Sequence, residues 1–242
     1  MYYQRLPLEK TYNTRDLGGI PTKNGQMVTW KKLFRSDDVS QLSTTDKRFL
    51  EEYGVGVAID LRSHREREEK NYSLEEDSFI KTYHIPFTIK ENLVDQNALQ
   101  IQKIAKEITL YDLYNTFIFE QQAIIKELFT IIYNSSDQGI LFHCAAGKDR
   151  TGILTVLILG LLDVEASDII ANYETSYTFL SANQALIPPK GFEHLMESDK
   201  KNIATLLPEI KKKYGTIYDY LQACGLSEQM LLEIRARYTQ CV

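Results

Sequence analysis

Apolar positions change their period several times along this 242-residue chain, and each change predicts an element. Residues 20 to 35 carry an Asn24-Gly25 turn signal and read as a hairpin ending in Leu33-Phe34-Arg35. Ser43 to Tyr53 has helical spacing, with Ser43 as N-cap and Asp46 three residues later. The apolar run Val55 to Asp60 stops abruptly at Asp60-Leu61-Arg62-Ser63, which predicts a buried strand feeding a polar loop. Lys81 to Pro86 and Ile140 to His143 read as further strands. Between them, Ala98 to Tyr133 is helical, as two helices, with Ile101, Ile104, Ala105 and Ile108 on one face. After Arg150 every segment reads as helix, at 151–163, 166–180, 198–213, 215–223 and 227–238, with Pro188-Pro189-Lys190-Gly191 as a loop.

Strands alternating with helices predict an α/β fold, a central, mainly parallel sheet flanked by helices, closed by a helical C-terminal half. No repeat or linker divides the chain, so one domain over 1–242 is expected. Ligands of such sheets sit off the carboxyl ends of the strands, which brings Asp60–Ser63 and Cys144–Arg150 to one edge.

Composition narrows the functional classes. With 43% hydrophobic and 25% charged residues the chain is ordinary globular material. The apolar stretch Ile153–Leu162 is about half a bilayer span, so it predicts a buried helix and no membrane span. A net charge of −5 argues against binding nucleic acid or anionic lipid by bulk electrostatics. The three cysteines, 144, 224 and 241, have no C-x-x-C spacing, so neither a disulfide framework nor a zinc site is expected. Free thiols and a start without a basic segment and apolar run point to a cytoplasmic protein.

The chemistry concentrates in His143-Cys144-Ala145-Ala146-Gly147-Lys148-Asp149-Arg150-Thr151-Gly152, placed between a strand and a helix. Backbone N–H groups of residues 145 to 150 can turn inward as a nest, and the helix adds the positive end of its dipole. A tetrahedral phosphate fits such a cup. Arg150 offers a planar fork for two phosphate oxygens. Cys144 at the base of this positive field is favoured as a thiolate nucleophile. Thr151 is placed to donate its hydroxyl to the sulfur, and His143 to shape the loop. No metal or other cofactor is needed, because the loop supplies the charge stabilisation. A Walker A loop is excluded, since Gly147-Lys148 precedes Asp149 rather than Ser or Thr.

The loop resembles the C-x5-R signature of protein tyrosine phosphatases, and its Gly-Lys-Asp-Arg-Thr-Gly form looks like the bacterial tyrosine and lipid phosphatase family. Asn13-Thr14-Arg15-Asp16-Leu17-Gly18-Gly19, Phe34-Arg35-Ser36-Asp37, Asp60-Leu61-Arg62-Ser63 and the tail from Tyr214 to Arg235 match its pattern as well. The resemblance implies hydrolysis of phosphotyrosine, often with phosphoserine, phosphothreonine and phosphoinositides, through a phosphocysteine, with inorganic phosphate as product.

Phosphoryl transfer to Cys144 needs a general acid at the leaving oxygen. The Trp-Pro-Asp loop of conventional tyrosine phosphatases is missing, because the lone tryptophan, Trp30, is followed by lysines. Asp149, inside the loop, is the first candidate and Asp60 the second; an Asp149 ion pair with Lys148 or Arg62 is the competing reading. Lys148 reads equally as a second cation suited to phosphorylated inositol rings and as a solvated loop lysine. Arg15 and Asp16 read as a pair fixing the N-terminal segment; Arg35 and Arg62 each follow a strand and could approach the site, but arginines at strand ends are common on any surface. The run His64 to Lys70 reads as a solvated helix or loop, His84 as a satisfied core residue, and the fifteen tyrosines as packing. Residues 166 to 200 are a possible helical lid. Two rival functions use the same loop: a silent phosphate-binding module, and a thiol redox or sulfur-transfer protein working through Cys144.

Overall fold

The computed structural model describes residues 1–70, 72–75, 79–88, 109–135, 137–183 and 200–241. Its centre is a five-stranded sheet in the order β1-β3-β6-β4-β5, formed by β1 (Arg15–Asp16), β3 (Leu33–Ser36), β6 (Gly139–His143), β4 (Val55–Asp60) and β5 (Lys81–His84). All neighbours run parallel except β1, which pairs antiparallel with β3. The expected fold class is therefore the observed one. The continuous apolar runs of β4 and β6 follow from burial on both faces. Val57, Ile59, Ile140 and Phe142 enter the larger core, and Val55, Ala58 and Leu141 enter a smaller one with Leu50 of α1 (Thr44–Tyr53).

Ser43 caps α1 through a box with Asp46, as its spacing predicts. A second box, Ser63 with Glu66, starts the short helix α2 (His64–Glu68) directly after β4. The helices α3 (Leu110–Phe119) and α4 (Gln122–Asn134) occupy the second half of the 98–133 pattern; residues 98 to 108 lie outside the described ones. The helix α5 (Asp149–Leu161) follows β6, and all but three of its residues are buried. It packs on β3, β6 and three helices: α3, α6 (Ala166–Leu180) and α8 (Ile217–Ala223). Enclosure on every side is why its sequence shows an unbroken apolar run rather than a stripe. The remaining helices are α7 (Lys200–Tyr214) and α9 (Glu228–Tyr238).

One expectation is corrected. The turn at Asn24-Gly25 exists, with Thr22 N–H bonding Gln26 C=O at 2.9 Å, but its outgoing strand does not continue into a hairpin with β3. That strand, β2 (Gln26–Val28), pairs instead with β7 (Thr239–Cys241), so the helical C-terminal half ends in a strand. The proposed lid region begins as α6, whose Ile169 and Tyr173 are core residues, while residues 184 to 199 lie outside the described ones. Among the described residues no helix is long and apolar enough to cross a membrane.

Leu157, fully buried at the middle of α5, tests the packing of this central helix. Leu157→Ala is expected to lower unfolding stability by about 2–5 kcal/mol through lost burial and a cavity, measured by urea denaturation; a loss under about 1 kcal/mol would contradict the enclosed position.

Candidate active site

Three parallel strands end level with one another: Ser36 and Asp60 both stand opposite His143, immediately before Cys144. The polar residues that terminate β3, β4 and β6 therefore meet at one edge, as the sheet rule predicts. Cys144 is buried, and the Gly147 N–H donates to its Sγ at 3.2 Å. Gly147 has φ +64°, and a Cβ there would lie 2.4 Å from the Ser36 carbonyl oxygen, so only glycine suits both the bend and the approach.

The loop carbonyls point away from the sulfur and are met by partners from the sheet edge. The Asn13 side-chain amide donates to the carbonyls of Ala146 and Gly147, both at 3.1 Å. Arg35 Nη2 donates to the Gly147 carbonyl at 2.7 Å, and the Asp38 N–H to that of Ala145 at 3.1 Å. Asp37 holds Asn13 in turn, accepting its N–H at 3.0 Å. Lys148 stands at the N-terminus of α5 and gives that helix no side-chain cap, in contrast to the capped α1, α2 and α3. The first amides of α5 are thus left facing the loop.

Arg150 is gripped by Glu66. Nη1 and Nη2 donate to the two carboxylate oxygens at 2.6 and 2.7 Å. Burial works against the Glu66 carboxylate, yet the Arg150 fork and the Ser63 N–H hold its pKa down to about 2. The run His64 to Lys70 is therefore more than a solvated helix. The legible signal was Ser63-x-x-Glu66: the capping box fixes Glu66 at the one place from which it reaches Arg150.

Asp149 opens α5 and is partly exposed. Its Oδ1 accepts a hydrogen bond from the Tyr114 hydroxyl and lies 3.6 Å from Lys148 Nζ. Lys148 itself is buried, so it is not the solvated loop lysine considered above. Asp60, by contrast, is fully buried and bound by Arg62 through Nε at 3.0 Å and Nη2 at 2.8 Å. Burial opposes its charge, but Arg62 keeps its carboxyl below the usual range, so Asp60 is engaged as the counterion of a buried arginine while Asp149 has the more open position. Arg62 also reaches Asp38 and Ser40, tying β4 to the segment after β3.

His143 is buried, with Nε2 2.9 Å from the Tyr72 hydroxyl and Nδ1 3.4 Å from the Cys144 carbonyl. Burial lowers its pKa, which leaves a neutral imidazole to brace the strand end. The Thr151 hydroxyl is buried and has no hydrogen-bond partner among the described residues, so the expected bond to the sulfur is not made; the donor there is Gly147. Ala145 and Ala146 supply backbone only.

Arg15 and Asp16 do not pair with each other. Arg15 reaches α6, donating to the Asn172 carbonyl at 2.7 Å and to Ser176 Oγ at 2.9 Å. Asp16 accepts the N–H groups of Gly18 and Lys31. Arg35 is completely buried, where desolvation lowers its pKa to about 10, and it spans from Gly147 to Asn172. His84 is half-buried, with Nε2 2.9 Å from the Arg62 carbonyl. Cys224 is buried, with its thiol pKa pushed up by burial, and Cys241 is exposed.

The sequence model of the tyrosine phosphatase family matches residues 6–240. A tyrosine-protein phosphatase of Nostoc commune is 28% identical over 224 residues, which cover 85% of this chain and 74% of that protein. A Cupriavidus necator protein named as a tyrosine-protein phosphatase is 27% identical over 230 residues, 90% of this chain and 82% of its own length. The triple specificity protein phosphatase PtpB of Mycobacterium tuberculosis is 26% identical over 273 aligned positions, covering 94% of this chain and 96% of that one.

The grip of Glu66 on Arg150 sets a testable pH dependence. A carboxyl held near 2 against an ordinary 4.5 stabilises the fold above about pH 5 and loses that contribution as the pH falls toward 2. Unfolding of wild type and Glu66→Gln, followed from pH 7 to pH 3, is expected to show the wild-type advantage shrinking with acidity; a constant gap would contradict it. The same variant is expected to lower kcat/KM by about tenfold, because the Arg150 fork is no longer aimed.

Proposed function

We propose a division of labour at this loop from the premise that the chain belongs to the tyrosine phosphatase family and hydrolyses phosphate monoesters through a phosphocysteine. In the first step the Cys144 thiolate attacks phosphorus. The S–P bond forms as the P–O bond to the leaving group breaks, and Asp149 delivers a proton to the departing oxygen. In the second step Asp149, now a carboxylate, takes a proton from water. The water oxygen attacks phosphorus, the S–P bond breaks, and inorganic phosphate and the thiolate are released.

Arg150 and the amides of residues 145 to 150 neutralise the charge on the transferring group. Glu66 engages the Nη1–Nη2 edge of Arg150, which keeps the Nε–Nη2 edge for two phosphate oxygens. The Thr151 hydroxyl, buried and without a partner among the described residues, serves the sulfur when it departs as thiolate. Lys148 adds a second cation beside the cup, and His143 with Asp60 supports its base. The observation that carries this reading is the Gly147 amide directed at Cys144 Sγ, at the mouth of an uncapped helix with the Arg150 fork fixed beside it.

The substrates proposed are phosphotyrosine first, then phosphoserine, phosphothreonine and phosphoinositides. Lys148 beside the cup and the triple-specificity name of one relative support this range. The whole chain acts as one phosphatase domain, and its free thiols favour the cytoplasm.

The test is phosphate release from phosphopeptides bearing each residue and from phosphoinositides. Cys144→Ser is expected to abolish release from every substrate, and Asp149→Ala to slow phosphotyrosine turnover by about a hundredfold. Wild-type turnover by Cys144→Ser would refute the phosphocysteine route.

A further inference from the structure

Asp149 is the terminus of a line of hydrogen bonds that leaves the loop and crosses three helices. The Tyr114 hydroxyl, from α3, donates to Asp149 Oδ1. The Tyr173 hydroxyl, from α6, lies 2.6 Å from that of Tyr114. Asn202, from α7, bonds to Tyr173 in turn. Both tyrosines are buried, with relative exposures of 0% and 1%, and their rings cross nearly edge to face.

The direction of this line follows from counting protons. A phenol has one hydrogen, and Tyr114 gives its own to the carboxylate. Its oxygen can then only accept at the 2.6 Å contact, so Tyr173 is the donor there. Having spent its hydrogen, Tyr173 accepts from the side-chain amide of Asn202. Three donors therefore point one after another toward Oδ1. Burial, followed by the charge of Asp149, pushes the Tyr114 pKa far above the ordinary phenol value, so this hydroxyl keeps its proton throughout the working range.

We propose that Tyr114 and, through it, Tyr173 are positioning residues of the proton-transfer step, assigning Oδ1 of Asp149 as the permanent acceptor and Oδ2 as the oxygen that carries the transferable proton. The proposal rests on Asp149 being the general acid. A carboxylic acid rotating freely offers either oxygen to the leaving group; one whose Oδ1 is already an acceptor carries its proton on the other. Once that proton has gone, the Tyr114 bond becomes charge-assisted and strengthens, so the relay favours the carboxylate formed in the first step. The same carboxylate is the base of the second step. Lys148 Nζ near Oδ1 acts in the same sense.

The other charged groups around Asp149 are Arg35 from β3 and Arg150 within its own helix, with the Cys144 thiol below them. Arg35 and Arg150 make their hydrogen bonds elsewhere, Arg35 with Gly147 and Asn172 and Arg150 with Glu66. Tyr→Phe keeps the ring that fills the core and deletes only the donor, which makes the change selective.

The experiment compares wild type, Asp149→Ala, Tyr114→Phe, Tyr173→Phe and the double phenylalanine variant. Each is assayed on phosphotyrosine, whose phenol leaving group depends strongly on a proton, and on p-nitrophenyl phosphate, whose more acidic nitrophenol depends on it less. Tyr114→Phe is expected to lower kcat on phosphotyrosine by about tenfold, to leave KM within about twofold, and to leave p-nitrophenyl phosphate turnover within about twofold. The basic limb of the phosphotyrosine kcat profile is expected to move in this variant, because the group that loses a donated hydrogen bond is the one that delivers the proton. Tyr173→Phe should do the same more weakly, and the double variant should match Tyr114→Phe, because Tyr173 acts through it.

If Asp149→Ala slows both substrates equally, Asp149 is not the acid and the proposal falls with that reading. If Asp149→Ala discriminates between them while the phenylalanine variants keep the wild-type limb, the acid stands and the positioning role is overturned. Equal losses on both substrates in Tyr114→Phe, with an unmoved limb, would mark a purely structural residue and overturn it too. Tyr173→Phe, one bond further from the loop, provides the reading should Tyr114→Phe unfold.

Discussion

A ring of backbone amides can face an anion only if the carbonyls of the same residues face something else. Peptide planes carry both groups, and a buried carbonyl without a donor costs as much as a lost hydrogen bond. Most of the features around this loop answer that requirement. Asn13, Arg35 and the Asp38 N–H take up the outward carbonyls of Ala145, Ala146 and Gly147. Asp37 fixes Asn13 so that its amide arrives at the right height. Gly147 closes the bend because its neighbour across the gap is the backbone of Ser36. The cup is therefore a property of the strand edge as much as of the loop.

Charge is handled by the same economy. Arg15, Arg35 and Arg62 are each almost wholly buried, and each bridges elements rather than meeting solvent. Their fixed forks suit this work, since a guanidinium places several donors without further loss of freedom and does not give up its proton. Arg62 has Asp60 and Asp38 as counterions, whereas Arg35 faces mainly carbonyl and amide oxygens. That arrangement leaves positive charge beneath the loop with no carboxylate hydrogen-bonded to Arg35 among the described residues, which is the field a thiolate and a phosphate dianion need. Arg150 differs in being held by a partner that is itself partly exposed.

The sheet, the helix order and the position of the loop were legible because each rests on local patterning: apolar runs, caps and the switch from strand to helix at Cys144. The sulfur and Arg150 were legible from spacing alone. The bracing residues were not, although their motifs were visible. Arg35 and Arg62 look in sequence like any strand-end arginine, and only the parallel register that brings Ser36 and Asp60 level with His143 gives them a carbonyl or carboxylate to hold. Glu66 was hidden inside a charged run because its value lies in a capping box rather than in its charge. Tyr114 and Tyr173 sit at helical spacing among many tyrosines, and nothing local separates a packing ring from one whose hydroxyl meets Asp149. The β2–β7 pair joins residues more than two hundred positions apart, beyond any local signal.

That separation has a bearing on how the chain acquires its reactivity. The bonds from Asn13 to the loop span 133 and 134 residues, and that from Arg15 to Ser176 spans 161. Contacts of such reach close large loops of chain and form late, after local helices and hairpins are in place. Until they do, the carbonyls of the cup have no partners and its amides no reason to converge. A nascent or partly folded chain thus carries the signature residues without the anion cup, which takes shape only once the two distant halves have found each other.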